Sequence, residues 1–222
     1  MKTKRSSKLT LKDKLSRLTY RQACSLLGAE GERLIKRGGA FEVDIDAQVR
    51  LTSRRFGLAL ADGATVSLRL SDGARSRLRF ECDRCQGACE HVGAASSLVL
   101  EEKLALGLST ERPEKTPLGL LTDEEAIARA LADREQRAAE EKMEVRSNDP
   151  DEVWTDYTVL NRSSGRSYRV ALRGMDAGDA FCTCPDFRRN GLGTCKHVIR
   201  VRKAVRKRFT AKQRSAPYLR KT

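Results

Sequence analysis

The feature that most constrains this chain is a pair of short cysteine clusters that share its only two histidines. His91 lies in CDRCQGACEHV and His197 lies in CTCPDFRRNGLGTCKHV; each follows a cysteine by two residues and precedes a valine. Six of the seven cysteines belong to these two stretches. Because thiolate sulfur and imidazole nitrogen are ligands that zinc prefers, the pattern indicates metal sites more than scattered thiols.

The second cluster predicts one tetrahedral zinc site. Pro185 and Asp186 supply a bend after the paired cysteines, and Gly191 and Gly193 allow the intervening loop to close. A set of three cysteines and one histidine leaves no open coordination position, so we expect a structural metal and not a catalytic one. A disulfide or a group of buried thiols is the alternative, but neither accounts for the histidine. The predicted ligands are Cys182, Cys184, Cys195 and His197.

The first cluster has the same ligand types with a much shorter loop. A second zinc ion is geometrically possible there, and we predict one. The alternative is a degenerate copy whose cysteines only pack together. The predicted ligands are Cys82, Cys85, Cys89 and His91.

The elements around the two clusters form an internal repeat, in which strands precede each cluster and a helix follows it. FEVDI, FGLAL, TVSLRL and SRLRF alternate apolar and polar residues before the first cluster, as YTVLN and YRVALRG do before the second. Asp62-Gly63 and Asp72-Gly73 predict turns between the first set of strands. Apolar spacing predicts helices over residues 19–36, 92–106 and 122–143, and another that starts near Cys195. Thr122 and Glu125 form a capping-box pattern at the start of the third of these helices. The fold class is therefore α+β, with two small β-hairpin-plus-helix zinc-finger units joined by a helical linker.

The formal net charge of +14 is distributed unevenly along the chain. Residues 1–22 hold eight Lys/Arg and one acid, residues 101–152 hold fifteen acids and eight Lys/Arg, and no acid follows Asp186. Basic ends around an acidic middle favour a nucleic-acid contact surface, although a solvated basic helix face is the alternative. The candidate phosphate-binding residues are Arg188, Arg189, Arg200, Arg202, Lys203, Arg206, Lys207 and Arg208.

The Cys-x-Cys…Cys-x-His arrangement after a β-hairpin resembles the SWIM zinc finger over residues 153–208. This longer stretch is similar to the region N-terminal to the motor of bacterial Swi/Snf-type helicases, and residues 31–106 also resemble such regions. The first cluster departs from the SWIM pattern, because Cys82 and Cys85 are separated by two residues and the loop is short. The resemblance implies a non-enzymatic module that binds DNA or protein. Its expected partner is a Swi/Snf-type motor in the same or another chain, since no G-x-x-x-x-G-K-[ST] motif is present here.

These observations divide the chain into four segments. Residues 1–108 hold an N-terminal helix and strands with a degenerate SWIM-like cluster, and residues 109–152 hold a proline-containing linker and an acidic helix. Residues 153–209 form the SWIM zinc finger, and residues 210–222 form a basic tail. Whether the chain is a piece of a longer helicase or a free-standing relative stays open.

Several classes of protein are disfavoured by the sequence. No apolar run approaches the roughly 20 residues of a membrane span, and no secretory signal is present, so we expect a cytoplasmic, nucleoid-associated protein. Both histidines are assigned to metal, and no other catalytic set is evident, so we expect no enzyme activity. A protein–protein interaction module that docks a partner or the motor is the alternative function, and a metal-dependent nuclease is a third.

Overall fold

The structure, a computed structural model, describes residues 10–71, 77–108 and 121–219. The chain divides into two compact units, Met1–Thr110 and Glu111–Thr222. Each unit contains a four-stranded antiparallel sheet whose strand order follows the chain, with a Cys3His cluster beside it and helices around it. The predicted α+β class with two strand-plus-helix units is therefore confirmed, while the four predicted segment boundaries stay a prediction.

Within the described residues, the first unit runs from four short helices through the sheet to a longer helix. One helix predicted over residues 19–36 is two helices here, because the chain turns at Gly28 with φ of 79°. FEVDI forms no strand; the Asp44 side chain accepts the N–H groups of Asp46 and Ala47 and caps a short helix instead. The elements are α1 (Leu11–Ser16), α2 (Tyr20–Leu27), α3 (Gly31–Gly38), α4 (Ile45–Gln48), β1 (Val49–Leu51), β2 (Arg55–Ala59), β3 (Thr65–Leu70), β4 (Leu78–Cys82) and α5 (Glu90–Glu101).

Helices α3 and α5 of the first unit cross with their backbones in contact. A Cβ atom on Gly38 would lie 2.1 Å from the backbone nitrogen of Ala94, and one on Gly93 would lie 2.0 Å from the carbonyl oxygen of Leu34. Only glycine permits this approach. Helix α5 also contacts β3 and β4, so its first turn lies beside the end of β4, where the first cluster is found.

The first described element of the second unit is the acidic helix, which opens with the predicted capping box of Thr122 and Glu125. This helix packs against the last long helix and buries Arg134 and Ala138, while most of its other residues are exposed or half-buried. The strand that follows it was not predicted. The elements are α6 (Asp123–Glu140), β5 (Met143–Ser147), β6 (Asp156–Asn161), β7 (Ser167–Leu172), β8 (Ala180–Cys182), α7 (Pro185–Arg189), α8 (Lys196–Arg208) and α9 (Ala211–Ser215).

The two sheets have the same strand register around the metal ligands. Val66 lies opposite Cys82 in the first sheet, and Val170 lies opposite Cys182 in the second. In both units the residue after that cysteine donates its backbone N–H to the neighbouring strand, so the sequence repeat is also a structural repeat. These bonds run from Asp83 to the Thr65 carbonyl at 3.1 Å and from Thr183 to the Arg169 carbonyl at 3.0 Å.

Some expectations concern segments that the structure does not describe. The turn predicted at Asp72-Gly73 and the linker predicted around Pro113 and Pro117 lie outside the described residues. Among the helices of residues 10–71, 77–108 and 121–219, none combines the length and the apolar character needed to cross a membrane.

Candidate metal centres

The second cluster is formed where strand β8 ends and helix α8 begins. Cys182 is the last residue of β8, and Cys195 is the N-cap of α8. Between them, the Cys184 sulfur accepts the backbone N–H of Phe187 at 3.3 Å and caps α7. The ligand atoms of the three cysteines and His197 all lie within 4.8 Å of one another.

The distances in this cluster fit a single tetrahedral ion. The Nδ1 atom of His197 lies 3.8 Å from the Cys182 sulfur and 3.9 Å from the Cys195 sulfur. A tetrahedron with Zn–S near 2.3 Å and Zn–N near 2.0 Å separates sulfur from nitrogen by about 3.5 Å. All three cysteines have 0% exposure and His197 has 2%, so the donor set suits a closed, structural zinc site.

Mutual hydrogen bonds and burial shift the pKa values of two thiols of this cluster in opposite directions. Hydrogen bonds with Cys184 and Cys195, together with burial, raise the pKa of the Cys182 thiol. Burial opposes ionisation of Cys195, but hydrogen bonds with Cys182 and Cys184 outweigh it and lower the pKa of Cys195 to about 4. Because zinc binds thiolates, metal binding at this cluster would release the protons that its thiols hold.

The first cluster brings its ligands together in the same way in spite of its short loop. Cys82 ends β4, and Cys89 is the N-cap of α5. The Nδ1 atom of His91 lies 3.5 Å from the sulfurs of Cys82 and Cys85 and 4.0 Å from that of Cys89. These residues are half-buried, and their geometry is consistent with a second zinc site.

Asp62 is a residue of the first cluster that the sequence did not reveal. Its Oδ2 atom lies 3.1 Å from Nε2 of His91, on the side of the ring that faces away from the sulfurs. Metal-ligating histidines generally donate their second N–H to a carboxylate or carbonyl, which holds the tautomer that binds metal. Asp62-Gly63 was recognised only as a turn, and no spacing rule connects it with a histidine 29 residues later.

Helix α6 is joined to the second cluster by buried ion pairs. Arg134 donates from Nε and Nη2 to the two carboxylate oxygens of Asp186 at 3.1 and 2.6 Å, and the two side chains are 9% and 11% exposed. Lys196, which lies between two ligands, donates to Glu141 at 2.6 Å and has a side chain only 4% exposed. Lys196 is therefore a structural cation and not a phosphate contact.

The candidate phosphate-binding residues divide into two groups by exposure. Arg200 and Arg202 are half-buried and donate to the carbonyl oxygens of Met143 and Asp176 at 3.2 and 2.6 Å. Burial lowers the pKa of Arg202. The exposed group comprises Arg188, Arg189, Lys203, Arg206, Lys207 and Arg208.

In the second unit a strand end and a helix start supply a Cys3His set, which is a donor set used by small zinc fingers. Within that class, residues 168–201 match the SWIM zinc finger family, so the segment from β7 into α8 is a SWIM zinc finger domain. This match confirms the resemblance to the SWIM zinc finger over residues 168–201, and the first cluster lies outside it. Comparisons of the chain with curated proteins and with solved structures find no match.

Proposed function

We propose that this protein is a zinc-binding SWIM module that contacts duplex DNA mainly through phosphates and has no catalytic activity of its own. The observation that carries the proposal is the cationic outer face of α8, which starts at two of the metal ligands. Lys203, Arg206 and Lys207 lie three and four residues apart, which places them on one helix face. All three are exposed, and within the described part of the chain none has an acidic group within 4.0 Å.

The zinc ions have a mechanical role in this proposal. One ion in each Cys3His cluster would join the end of a strand to the first turn of a helix, and neither closed site offers a position for a substrate. Because metal binding at such a site is coupled to folding, zinc would hold α8 against the sheet. Val198, Val201 and Val205 face that sheet and are at most 1% exposed, so the basic residues are held on the outer face.

Contacts of this kind do not depend on base sequence. Lysine and arginine on phosphates release counterions and position a protein on DNA, whereas base contacts would be needed for specificity. We therefore expect affinity that falls steeply with salt and varies little with sequence.

We further infer that the module serves a Swi/Snf-type motor in the same or another chain. The support for this partner is the resemblance of residues 153–208 and 31–106 to regions that precede such motors.

A second candidate function is protein docking on helix α6. Ile127 is 48% exposed on this helix, close to the acidic first turn of Asp123, Glu124 and Glu125. Co-purification of a protein partner through α6, without any DNA binding, would favour this function over the first.

The test combines metal content with salt-dependent DNA binding of the full chain. We expect two zinc ions per chain by elemental mass spectrometry. DNA binding is measured by fluorescence anisotropy with a mixed-sequence duplex. The R206Q/K207Q variant should reduce the magnitude of the slope of log K against log salt by about 2, since each lost phosphate contact contributes about 0.9.

The matched control is R33Q/K36Q, which removes the same charge from exposed cations that already pair with Glu30 and Glu32. Equal losses in both variants would mean that only net charge matters and would overturn the assignment to α8. Metal-dependent cleavage of DNA by the pure protein would overturn the non-enzymatic assignment.

A further inference from the structure

The outer face of the first sheet carries a row of arginines on three adjacent strands. Arg55 of β2 lies directly opposite Arg69 of β3, and Arg69 lies directly opposite Arg79 of β4. All three are exposed, while the next residues along, Phe56 and Leu68, point into the core. The row therefore lies on the solvent side of the sheet.

This arrangement opposes folding. Like charges directly opposite each other on antiparallel strands are destabilising. Within residues 10–71, 77–108 and 121–219, Arg55 and Arg79 have no acidic group within 4.0 Å, and Arg69 has only Glu81 at 3.7 Å. That pair is 49% and 69% exposed, so it compensates little of the repulsion.

The second sheet shows how the same fold neutralises arginines on its outer face. Four arginines on this face or at its edge are paired with one of two carboxylates, Asp156 and Glu144. Hydrogen bonds from Arg146 and Arg162 lower the pKa of Glu144, so this carboxylate stays charged at neutral pH. The pairs are Arg169 and Arg173 with Asp156, at 3.1 and 2.6 Å, and Arg146 and Arg162 with Glu144, at 2.8 and 2.6 Å.

The row of residues beside the arginines has small side chains at its centre, where Ser67 is only 4% exposed, and the acidic Glu81 at one end. The next row of the sheet runs from Arg50 through Gly57 and Ser67 to Glu81, so small residues occupy its two central strands. Neighbouring strands are about 4.8 Å apart, and the three arginine positions therefore span about 10 Å. One strand of duplex DNA rises about 3.4 Å per nucleotide along the helix axis. Because the strand also winds around that axis, its consecutive phosphates lie farther apart than this rise, and the long arginine side chains would spread to reach them.

We propose that this face of the first sheet is a second phosphate-binding surface for duplex DNA, on which Arg55, Arg69 and Arg79 contact consecutive phosphates of one strand. The inference rests on the proposed function for its ligand class, but it uses a different unit and different side chains from α8. The forked guanidinium group binds phosphate oxygens in pairs, which suits arginine to this position better than lysine. Bound phosphates would also cancel the repulsion within the row.

The experiment compares two triple variants of the full, zinc-loaded chain. R55Q/R69Q/R79Q removes the row, and R146Q/R162Q/R169Q removes the same charge from arginines that already have carboxylate partners. Binding to a mixed-sequence duplex of about 25 base pairs is measured by fluorescence anisotropy at several salt concentrations. In the row variant, the magnitude of the slope of log K against log salt should fall by about 3. The control should lower it by less than 1. Without DNA, the row variant should also have a higher thermal midpoint than the wild type, because its cross-strand repulsion is gone.

The outcomes separate this inference from the proposed function. Equal binding by the row variant and its control overturns the inference, and so does a weaker row variant whose thermal midpoint falls. Loss of binding in the row variant, with R206Q/K207Q unaffected, supports the second surface and removes the contact proposed for α8. Loss of binding in R206Q/K207Q, with the row variant unaffected, overturns the second surface alone.

Discussion

Replacing Arg134 by methionine tests whether helix α6 supports the SWIM finger. The guanidinium group makes two hydrogen bonds to Asp186, at 3.1 and 2.6 Å, with both side chains about nine-tenths buried. Removing one partner of a buried pair leaves an uncompensated charge and costs about 3–5 kcal/mol. Asn190 remains 3.3 Å from the carboxylate and offsets part of that loss, so we expect a value near the lower limit, about 3 kcal/mol.

Urea unfolding monitored by tryptophan fluorescence measures this change in the second unit alone, because Trp154 is the only tryptophan in the chain. With a denaturant slope of about 2 kcal/mol per molar, the midpoint of the zinc-loaded, reduced protein should fall by about 1.5 M. Arg146→Met is the matched control. Its side chain is 68% exposed, so its midpoint should stay close to that of the wild type.

A double variant makes the test sharper. R134M/D186L replaces the charged pair by two apolar side chains and leaves no buried charge, so it should recover most of the lost stability. A midpoint for Arg134→Met that matches the Arg146→Met control would refute the reasoning. A double variant less stable than the single one would do the same.

Further predictions concern the metal clusters and the crossing of α3 and α5. A chelator should remove zinc in two phases, first from the half-buried first cluster and later from the second, whose cysteines are 0% exposed. Asp62→Ala should weaken zinc binding at the first cluster by about 10–100-fold, measured by competition with a chromogenic chelator, while the second site is unchanged. Gly93→Ala should lower the free energy of unfolding of the first unit by about 1–3 kcal/mol, measured by thermal unfolding, because the added Cβ would meet backbone atoms of α3. Gly191→Ala, which has no atom within 4 Å of its Cβ, should have no effect. Single-phase release, an unchanged affinity of Asp62→Ala or an unchanged midpoint of Gly93→Ala would contradict the respective prediction.

The candidate ligands could be predicted because metal chemistry restricts the residue types and the spacing within each cluster. The roles of Asp62 and Arg134 could not, since their partners lie 29 and 52 residues away and only the folded chain brings them together. The same difference between local and distant signals decided which helices and strands could be predicted. The capping box at Thr122 is a local pattern and was found, whereas β5 follows α6 without any turn residue and was missed.

Five of the six alternating runs form strands as predicted, and FEVDI is the exception. FEVDI alternates as a strand would, but Asp44 satisfies two backbone N–H groups and favours a helical turn. The arginine row was not predicted either. Arg55, Arg69 and Arg79 are ordinary outward positions of three separate strands, and only the register makes them neighbours.

The position of the ligand cysteines at helix N-termini has an electrostatic consequence for each metal site. A divalent ion bound by three thiolates and a neutral imidazole carries one net negative charge, and the partial positive charge at the start of α5 or α8 stabilises it. In each unit an exposed arginine lies beside the ligands, Arg84 between Cys82 and Cys85 and Arg188 four residues after Cys184. The negative charge of each metal site is therefore countered within its own unit, by the start of a helix and by a neighbouring arginine.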